Sequence, residues 1–274
     1  MRIRAQLFCE AGINKSFARH IGMCYILFML TRHRDEKNLT RLFIPQDFVP
    51  EGTCDLSENQ IHYLRNVLRL SPDAPLRVFN GKDGEWRATL LEIGKKRGSI
   101  LLDAPLREQI SAPDIWAVFA PIKKTRLDFI TEKATELGAT KLIPVMTDHC
   151  VNARINTARM EAQVIEAAEQ CERLDVPDVS GLIPLAKLLE TWPKTRTLII
   201  CAESGDALPF AAAVKQAGDA PLAVLTGPEG GFSDAELTLL AAQDFTVMAD
   251  LGPRILRAET ALLAALAGLQ LTQG

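Results

Sequence analysis

The sequence predicts an α/β protein with a mostly parallel sheet, preceded by a smaller β-rich domain. From residue 114 onward, short apolar segments typical of buried strands alternate with helical patterns. Residues 41–106 carry hairpin signals interrupted by one helix. Two glycine-rich segments near the C-terminus each follow an apolar strand and lead into a helix, a position where parallel α/β proteins bind ligands.

The β-rich part is organised around one hairpin. Its predicted strand, turn, returning strand and further strand are Leu76–Phe79, Asn80–Gly84, Glu85–Ile93 and Ser99–Leu102. Ser57 and Gln60 have the spacing of a capping box, which predicts that a helix begins there. The apolar stripe expected for that helix is Ile61, Leu64, Val67 and Leu68.

The α/β part begins near Asp114. The predicted strands are Trp116–Ala120, Leu142–Val145, Leu198–Cys201, Leu222–Leu225 and Phe245–Met248. The predicted helices are Arg126–Leu137, Thr157–Glu172, Leu208–Gln216, Asp234–Ala242 and Ala258–Leu271. Gly138 has the position of a C-cap glycine, and Ser233 with Glu236 forms a second capping box.

The two glycine-rich segments are residues 225–233, LTGPEGGFS, and residues 251–261, LGPRILRAETA. Glycine lets the backbone approach a ligand closely and present its amides or carbonyls. We expect the two segments to lie side by side at the carboxyl edge of the sheet. No G-x-G-x-x-G motif follows the first strand of the α/β part, and no P-loop motif occurs. This disfavours dinucleotide enzymes and P-loop nucleotidases.

The composition argues against a disulfide-rich protein, a metal-binding protein and a strongly basic RNA-binding protein. The six cysteines are scattered without a C-x-x-C pair or histidines at zinc spacing, which favours reduced thiols in a cytosolic protein and no metal site. Residues 39–274 carry 24 basic and 31 acidic side chains, a net charge of −7. RNA binding would therefore depend on local basic clusters.

Residues 1–38 differ from the rest, with seven basic and three acidic residues around an apolar run at 21–30. This run is too short to span a bilayer. We expect residues 1–38 to be a poorly ordered extension or one loose helix, with a secretory signal as the minor alternative.

The motifs together resemble one family. The two glycine-rich segments, RLFIP at 41–45, HYLRNVLR at 62–69, ELG at 136–138 and EQCER at 169–173 resemble the ribosomal RNA small-subunit (uracil-N3)-methyltransferase family, in the SPOUT class of knotted methyltransferases. The resemblance covers about residues 40–272. The chain departs from it at His149-Cys150, where the family often has Arg-Ser, and at Cys171, where the family has Ser.

The resemblance implies a fold and an activity. It implies a PUA-like RNA-binding β-barrel at residues 39–110 and a SPOUT domain with a C-terminal trefoil knot at 111–274. It implies a cytoplasmic homodimer that uses S-adenosylmethionine to methylate N3 of a uridine in 16S rRNA of the small ribosomal subunit. The apolar character of helix 258–271 independently favours a partner surface.

The candidate site residues fall into three groups. The cofactor-binding candidates are Leu225, Thr226, Gly227, Glu229, Gly230, Gly231, Leu251, Gly252, Ile255, Leu256 and Thr260. Because uracil N3 must lose a proton before it attacks, carboxylates and cations are the catalytic candidates. These are Arg257, Glu229, Glu136 and Arg173. The RNA-binding candidates are Arg65, Arg69, Lys123, Lys124, Arg126, Arg173 and Arg254.

Two other functions remain open from the sequence. The chain could be a non-catalytic RNA-binding or ribosome-assembly factor whose glycine-rich segments are structural turns. It could also be an anion-binding metabolic enzyme that uses residues 227–231 as a nest of backbone amides. The sequence does not identify the residue that accepts the proton.

Overall fold

The computed structural model describes residues 36, 38–110, 112–122, 124–150, 154–202 and 207–273. The predicted extension at residues 1–38 lies almost wholly outside these residues. The chain divides into two compact units. The first comprises the described residues up to Leu42, Val49–Val78 and Trp86–Ala104, and the second comprises Phe43–Phe48, Phe79–Glu85 and the chain from Pro105 onward. The domain boundary at residue 110 stays a prediction.

The N-terminal part contains a five-stranded sheet in the order β1-β3-β4-β5-β2. Its strands are β1 (Arg41–Phe43), β2 (Thr53–Asp55), β3 (Pro75–Phe79), β4 (Glu85–Ile93) and β5 (Gly98–Arg107). The predicted hairpin is confirmed, since the turn at Asn80–Gly84 joins β3 and β4. Leu76, Val78, Leu90 and Leu102 are fully buried.

The helix of this part begins as predicted and then changes its form. The capping box at Ser57 and Gln60 starts α1 (Glu58–His62), which continues as a π-helical turn at Tyr63–Val67. The extra residue in a π-turn rotates the apolar stripe. Leu64 remains buried, whereas Val67 is 58% exposed, so the prediction that Val67 faces the core was wrong.

The second sheet has eight strands in the order β11-β13-β10-β12-β6-β7-β8, with β9 also on β7. All of its described pairings are parallel, which confirms the predicted α/β class. The strands are β6 (Ile115–Phe119), β7 (Lys141–Met146), β8 (Asp178–Val179), β9 (Ile183–Pro184), β10 (Thr197–Cys201), β11 (Leu208–Pro209), β12 (Leu222–Thr226) and β13 (Thr246–Asp250). The trefoil knot stays a prediction.

Helices cover both faces of this sheet. The helices are α2 (Lys124–Glu136), α3 (Thr157–Gln170), α4 (Leu185–Glu190), α5 (Phe210–Ala217), α6 (Asp234–Ala241) and α7 (Ala258–Gln273). In β10, Ile199 packs with residues of α2, α3, α5 and α7, whereas Leu198 and Ile200 pack with residues of α4 and α6. Alternation of side chains along a strand thus supplies two separate apolar cores. None of the described helices has the length and apolar character needed to cross a membrane.

Candidate active site

The carboxyl ends of three neighbouring strands define a cavity of about 520 Å³ in the second unit. The strand order places β10 between β12 and β13, with Cys201 in register with both Thr226 and Ala249. We expected the two glycine-rich segments to lie side by side, but the strands that they follow, β12 and β13, are separated by β10. The end of β10 lies between them and contributes Cys201 and Ala202 to the cavity wall.

The segment after β12 forms one side of the cavity. Thr226 is 1% exposed, and its Oγ1 is buried without a hydrogen-bond partner among the described residues. Gly227 packs so closely on the Phe232 ring that an added Cβ would lie 3.1 Å from it. Gly231 has a φ of +70°, and the space where its Cβ would project is open. The segment ends at Ser233, where the predicted capping box with Glu236 begins α6.

The segment after β13 forms the opposite side. Gly252 has a φ of +109°, which favours glycine, and its N–H donates to Asp250 Oδ1 at 2.9 Å. Leu251 and Leu256 are half-buried against the cavity, whereas Ile255 is 85% exposed at its margin. This segment therefore offers open backbone and apolar side chains in the same place.

Cys201 was not among the predicted site residues, although it lines the cavity. Burial raises the pKa of its thiol to about 12, so the sulfur stays protonated at neutral pH. Cys201 is therefore part of the cavity wall and not a thiolate nucleophile. Its position after an apolar strand was visible in the sequence, but the position of that strand between β12 and β13 was not.

Nine of the eleven predicted cofactor-binding residues line the cavity: Thr226, Gly227, Glu229, Gly230, Gly231, Leu251, Gly252, Ile255 and Leu256. The other two lie elsewhere. Leu225 is fully buried in the core that the sheet forms with α4 and α6, and Thr260 is exposed on the first turn of α7. On that helix Ala258 and Ala261 line the cavity instead.

The four catalytic candidates separate into two pairs. Arg257 and Glu229 line the cavity. Glu136 lies at the far end of α2, where it accepts from Lys133 Nζ at 2.7 Å. Ten residues of helix separate it from Arg126, a distance of about 15 Å. Arg173 donates to the carbonyls of Thr135 and Ala139, which favours a structural role at this same end of α2.

Arg126, predicted to bind RNA, is engaged with two carboxylates beside the cavity. Its Nη1 lies 3.3 Å from Glu229 Oε1, and its Nε lies 3.5 Å from Glu259 Oε1. Glu229 belongs to the segment after β12, and Glu259 belongs to the other glycine-rich segment, where it is the second residue of α7. Arg126 therefore connects α2 to both sides of the cavity.

The other RNA-binding candidates are dispersed. Arg254 is exposed at the cavity, and neither Arg254 nor Arg257 forms an ion pair within the described part of the chain. Arg65 and Arg69 are exposed in the first unit, and Arg69 has a φ of +56°. Lys124 is the first residue of α2, and Lys123 lies outside the described residues.

The chain matches two family models. The RNA methyltransferase domain family matches residues 110–270, and the RNA methyltransferase PUA domain family matches residues 56–103. Ribosomal RNA small subunit methyltransferase E of Rickettsia conorii is 35% identical over 84% of this chain and 95% of its own length.

Two solved structures are also similar over most of their length. The ribosomal RNA small subunit methyltransferase E of Neisseria gonorrhoeae, bound to S-adenosylmethionine, has a TM-score of 0.76 and is 29% identical, covering 85% of this chain and 97% of that one. A Legionella pneumophila methyltransferase with the same bound cofactor has a TM-score of 0.75 and is 27% identical, covering 85% and 98%. The chain thus belongs to the family of ribosomal RNA small subunit methyltransferases E, an RNA methyltransferase family with a PUA domain.

Proposed function

We propose that this protein transfers a methyl group from S-adenosylmethionine to N3 of a uridine in 16S rRNA of the small ribosomal subunit. The observation that carries the proposal is the cavity at the ends of β10, β12 and β13. Its walls combine open glycine backbone with apolar side chains, and the chain has no phosphate-binding P-loop. Such a site suits a cofactor that carries no phosphate group.

The residues of the cavity fit this cofactor. Thr226 Oγ1 is a buried polar atom without a partner in the described chain, so it is available to a ligand. Gly231 and Gly252 leave open the space that a Cβ would take, and Leu251 and Leu256 supply an apolar wall. When bound, S-adenosylmethionine supplies an electrophilic methyl group. The segments after β12 and β13 would hold it.

The reaction needs a group that deals with the proton on uracil N3. Glu229 is a carboxylate at the cavity, and we propose it as the acceptor of this proton. Arg257 is exposed at the same cavity without a carboxylate partner in the described chain, and we propose that it stabilises the negative charge that develops on the base. Arg254 would contact an RNA phosphate beside it.

The first unit would dock the RNA. Its match to a PUA domain of RNA methyltransferases and its exposed Arg65 and Arg69 support this assignment. Because residues 39–274 carry a net charge of −7, long-range attraction to free RNA would be weak. The substrate would therefore be the assembled or partly assembled small subunit, recognised by its shape and a few phosphates. We propose a cytoplasmic location, because this substrate would be found there.

We also propose a homodimer, but the support for it in the structure differs from the support in the sequence. The apolar helix predicted at 258–271 suggested a partner surface, but within this unit α7 already buries Leu262, Leu266 and Leu269. The support that remains is the exposure of Phe129 on α2 and of Leu271 on α7. Sedimentation at micromolar concentration should give a particle of twice 30.1 kDa, and a monomer would refute the dimer.

The proposed activity is tested by mass spectrometry of rRNA nucleosides from a strain that lacks the gene. We expect 3-methyluridine to disappear from 16S rRNA, to return with the wild-type gene and with Arg159→Ala, and to stay absent with Arg257→Ala. Isothermal titration with S-adenosylmethionine separates an enzyme from a non-catalytic assembly factor. The absence of any heat of binding in the wild-type protein would favour the assembly factor.

A further inference from the structure

His149 occupies one of the two places where the chain departs from the family pattern. It lies in the loop that follows β7, exposed at the same carboxyl edge of the sheet as the cavity. Its Nδ1 is 3.0 Å from the carbonyl oxygen of Gly230 and 3.1 Å from that of Gly231. The side chain thus contacts the glycine-rich segment after β12 without being part of the cavity wall.

The partners of this contact show which ring nitrogen of His149 carries a hydrogen. Carbonyl oxygens only accept hydrogen bonds, so Nδ1 must carry the hydrogen that the two oxygens share. Nδ1–H is present both in one neutral tautomer and in the imidazolium ion. The contact therefore does not depend on the charge of His149.

The packing on this side of the segment explains one of its glycines. A Cβ on Gly230 would lie 3.2 Å from His149 Cβ, tighter than ordinary van der Waals contact. A Cβ on Gly231 would meet nothing within 4 Å. Gly230 therefore permits close contact with the histidine, whereas Gly231 lies where the segment is open.

The hydrogen bonds from Nδ1 also orient a peptide. Since the described chain contains no cis peptide, the N–H of Phe232 is antiparallel to the carbonyl of Gly231 and points away from the imidazole. Phe232 lines the cavity. Because Gly231 carries no Cβ, its ψ is less restricted than that of other residues, which would permit this peptide to flip and exchange the positions of donor and acceptor. The imidazole opposes such a flip.

A neighbouring contact anchors the end of the segment but not its middle. Ser233 Oγ donates to Asp148 Oδ2 at 2.6 Å, and the N–H of Asp148 donates to Glu236 Oε1 at 2.8 Å. These bonds hold the start of α6. Among the described residues, His149 is the one side chain that hydrogen-bonds the carbonyls of Gly230 and Gly231.

We propose that His149 is a positioning residue for the glycine-rich segment after β12. By donating Nδ1–H to two consecutive carbonyls, it keeps the carbonyl of Gly231 directed toward the imidazole. The N–H of Phe232, which belongs to the same peptide, then points to the opposite side. The inference rests on the proposed function, because it assigns the segment to S-adenosylmethionine binding. Because His149 does not line the cavity, this role acts through the segment and not through a contact with the cofactor.

Calorimetric titration of S-adenosylmethionine into a set of variants tests this role. Asparagine can place an amide N–H close to the position of Nδ1, whereas glutamine carries its amide one methylene farther out. We expect His149→Ala and His149→Gln to bind about fivefold to tenfold more weakly, the loss expected for one net hydrogen bond. His149→Asn should bind within about twofold of the wild type. His62→Ala, an exposed histidine in the first unit, is the matched control and should bind normally.

Two further measurements separate positioning from other effects. In steady-state kinetics, the KM for S-adenosylmethionine should rise in His149→Ala while kcat at saturating cofactor stays near that of the wild type. Hydrogen exchange of residues 227–233, measured without cofactor, should be faster in His149→Ala and His149→Gln but not in His149→Asn.

The outcomes discriminate between the two proposals. If the wild type binds the cofactor and His149→Ala binds equally well with unchanged exchange, the positioning role is overturned. If the wild type gives no heat, the proposed function fails, and the exchange pattern still decides whether His149 orders the segment. Equal losses in the asparagine and alanine variants would also contradict the donor role.

Discussion

Replacing Arg126 by alanine should loosen the two sides of the cavity. The guanidinium connects Glu229 and Glu259 at 3.3 and 3.5 Å, and its side chain is 32% exposed. The sequence had assigned Arg126 to RNA. Its position between two carboxylates makes a role in holding the glycine-rich segments the stronger expectation.

The two ion pairs should contribute unequally. Glu229 is 36% exposed, so its pair is screened by water and contributes at most about 1 kcal/mol. Glu259 is 13% exposed, and its Oε2 is buried without a partner within the described chain. Removing Arg126 leaves this carboxylate without its cation, which is more costly than losing a surface pair. We expect a total destabilisation of about 2 kcal/mol, because the arginine is itself partly exposed.

Calorimetric unfolding measures this loss. A change of about 2 kcal/mol should lower the Tm of the second unit by about 4 to 8 °C. Arg159→Ala is the matched control, since Arg159 also pairs with a carboxylate of α2, Asp128, but is half exposed, and it should lower Tm by less than about 4 °C. Adding Glu259→Gln to Arg126→Ala removes the stranded charge and should restore part of the lost stability.

The cofactor and RNA measurements complete the test. Arg126→Ala should also weaken S-adenosylmethionine binding, because Glu229 and the start of α7 lose a common anchor. An Arg126→Ala protein with wild-type Tm and normal cofactor affinity, but with weaker binding to 30S particles, would refute this reasoning and support the RNA role.

Three further predictions follow from the geometry. Gly252→Ala should lose most cofactor affinity, because alanine is strained at φ +109° although its Cβ would meet no neighbour; unchanged affinity in calorimetry would contradict this. Arg65→Glu with Arg69→Glu should abolish methylation of 30S particles and leave cofactor affinity intact, and efficient methylation by this variant would remove the first unit from RNA docking. At pH 8, Cys201 should react with iodoacetamide far more slowly than the exposed Cys171, since its raised pKa keeps the thiol protonated until the pH approaches about 12; equal rates by peptide mass mapping would contradict the raised pKa.

Most of the longer helices and strands and most of the cavity residues could be predicted from the sequence alone. The strands β6, β7, β10 and β12 were predicted to within one or two residues, because a run of apolar residues is a local signal. The capping boxes at Ser57 and Ser233 were predicted for the same reason, since both partners lie three residues apart. The open backbone at Gly231 and Gly252 follows from glycine itself.

The contacts between distant elements could not be predicted from the sequence and are seen in the three-dimensional structure. The insertion of β10 between β12 and β13 brought Cys201 into the cavity, and strand order is not encoded in any single strand. Arg126 and His149 acquired their partners about 100 and 80 residues away, through hydrogen bonds and ion pairs that leave no periodic pattern. Charged and polar side chains choose partners by distance in space, whereas apolar periodicity reports only which face of an element is buried.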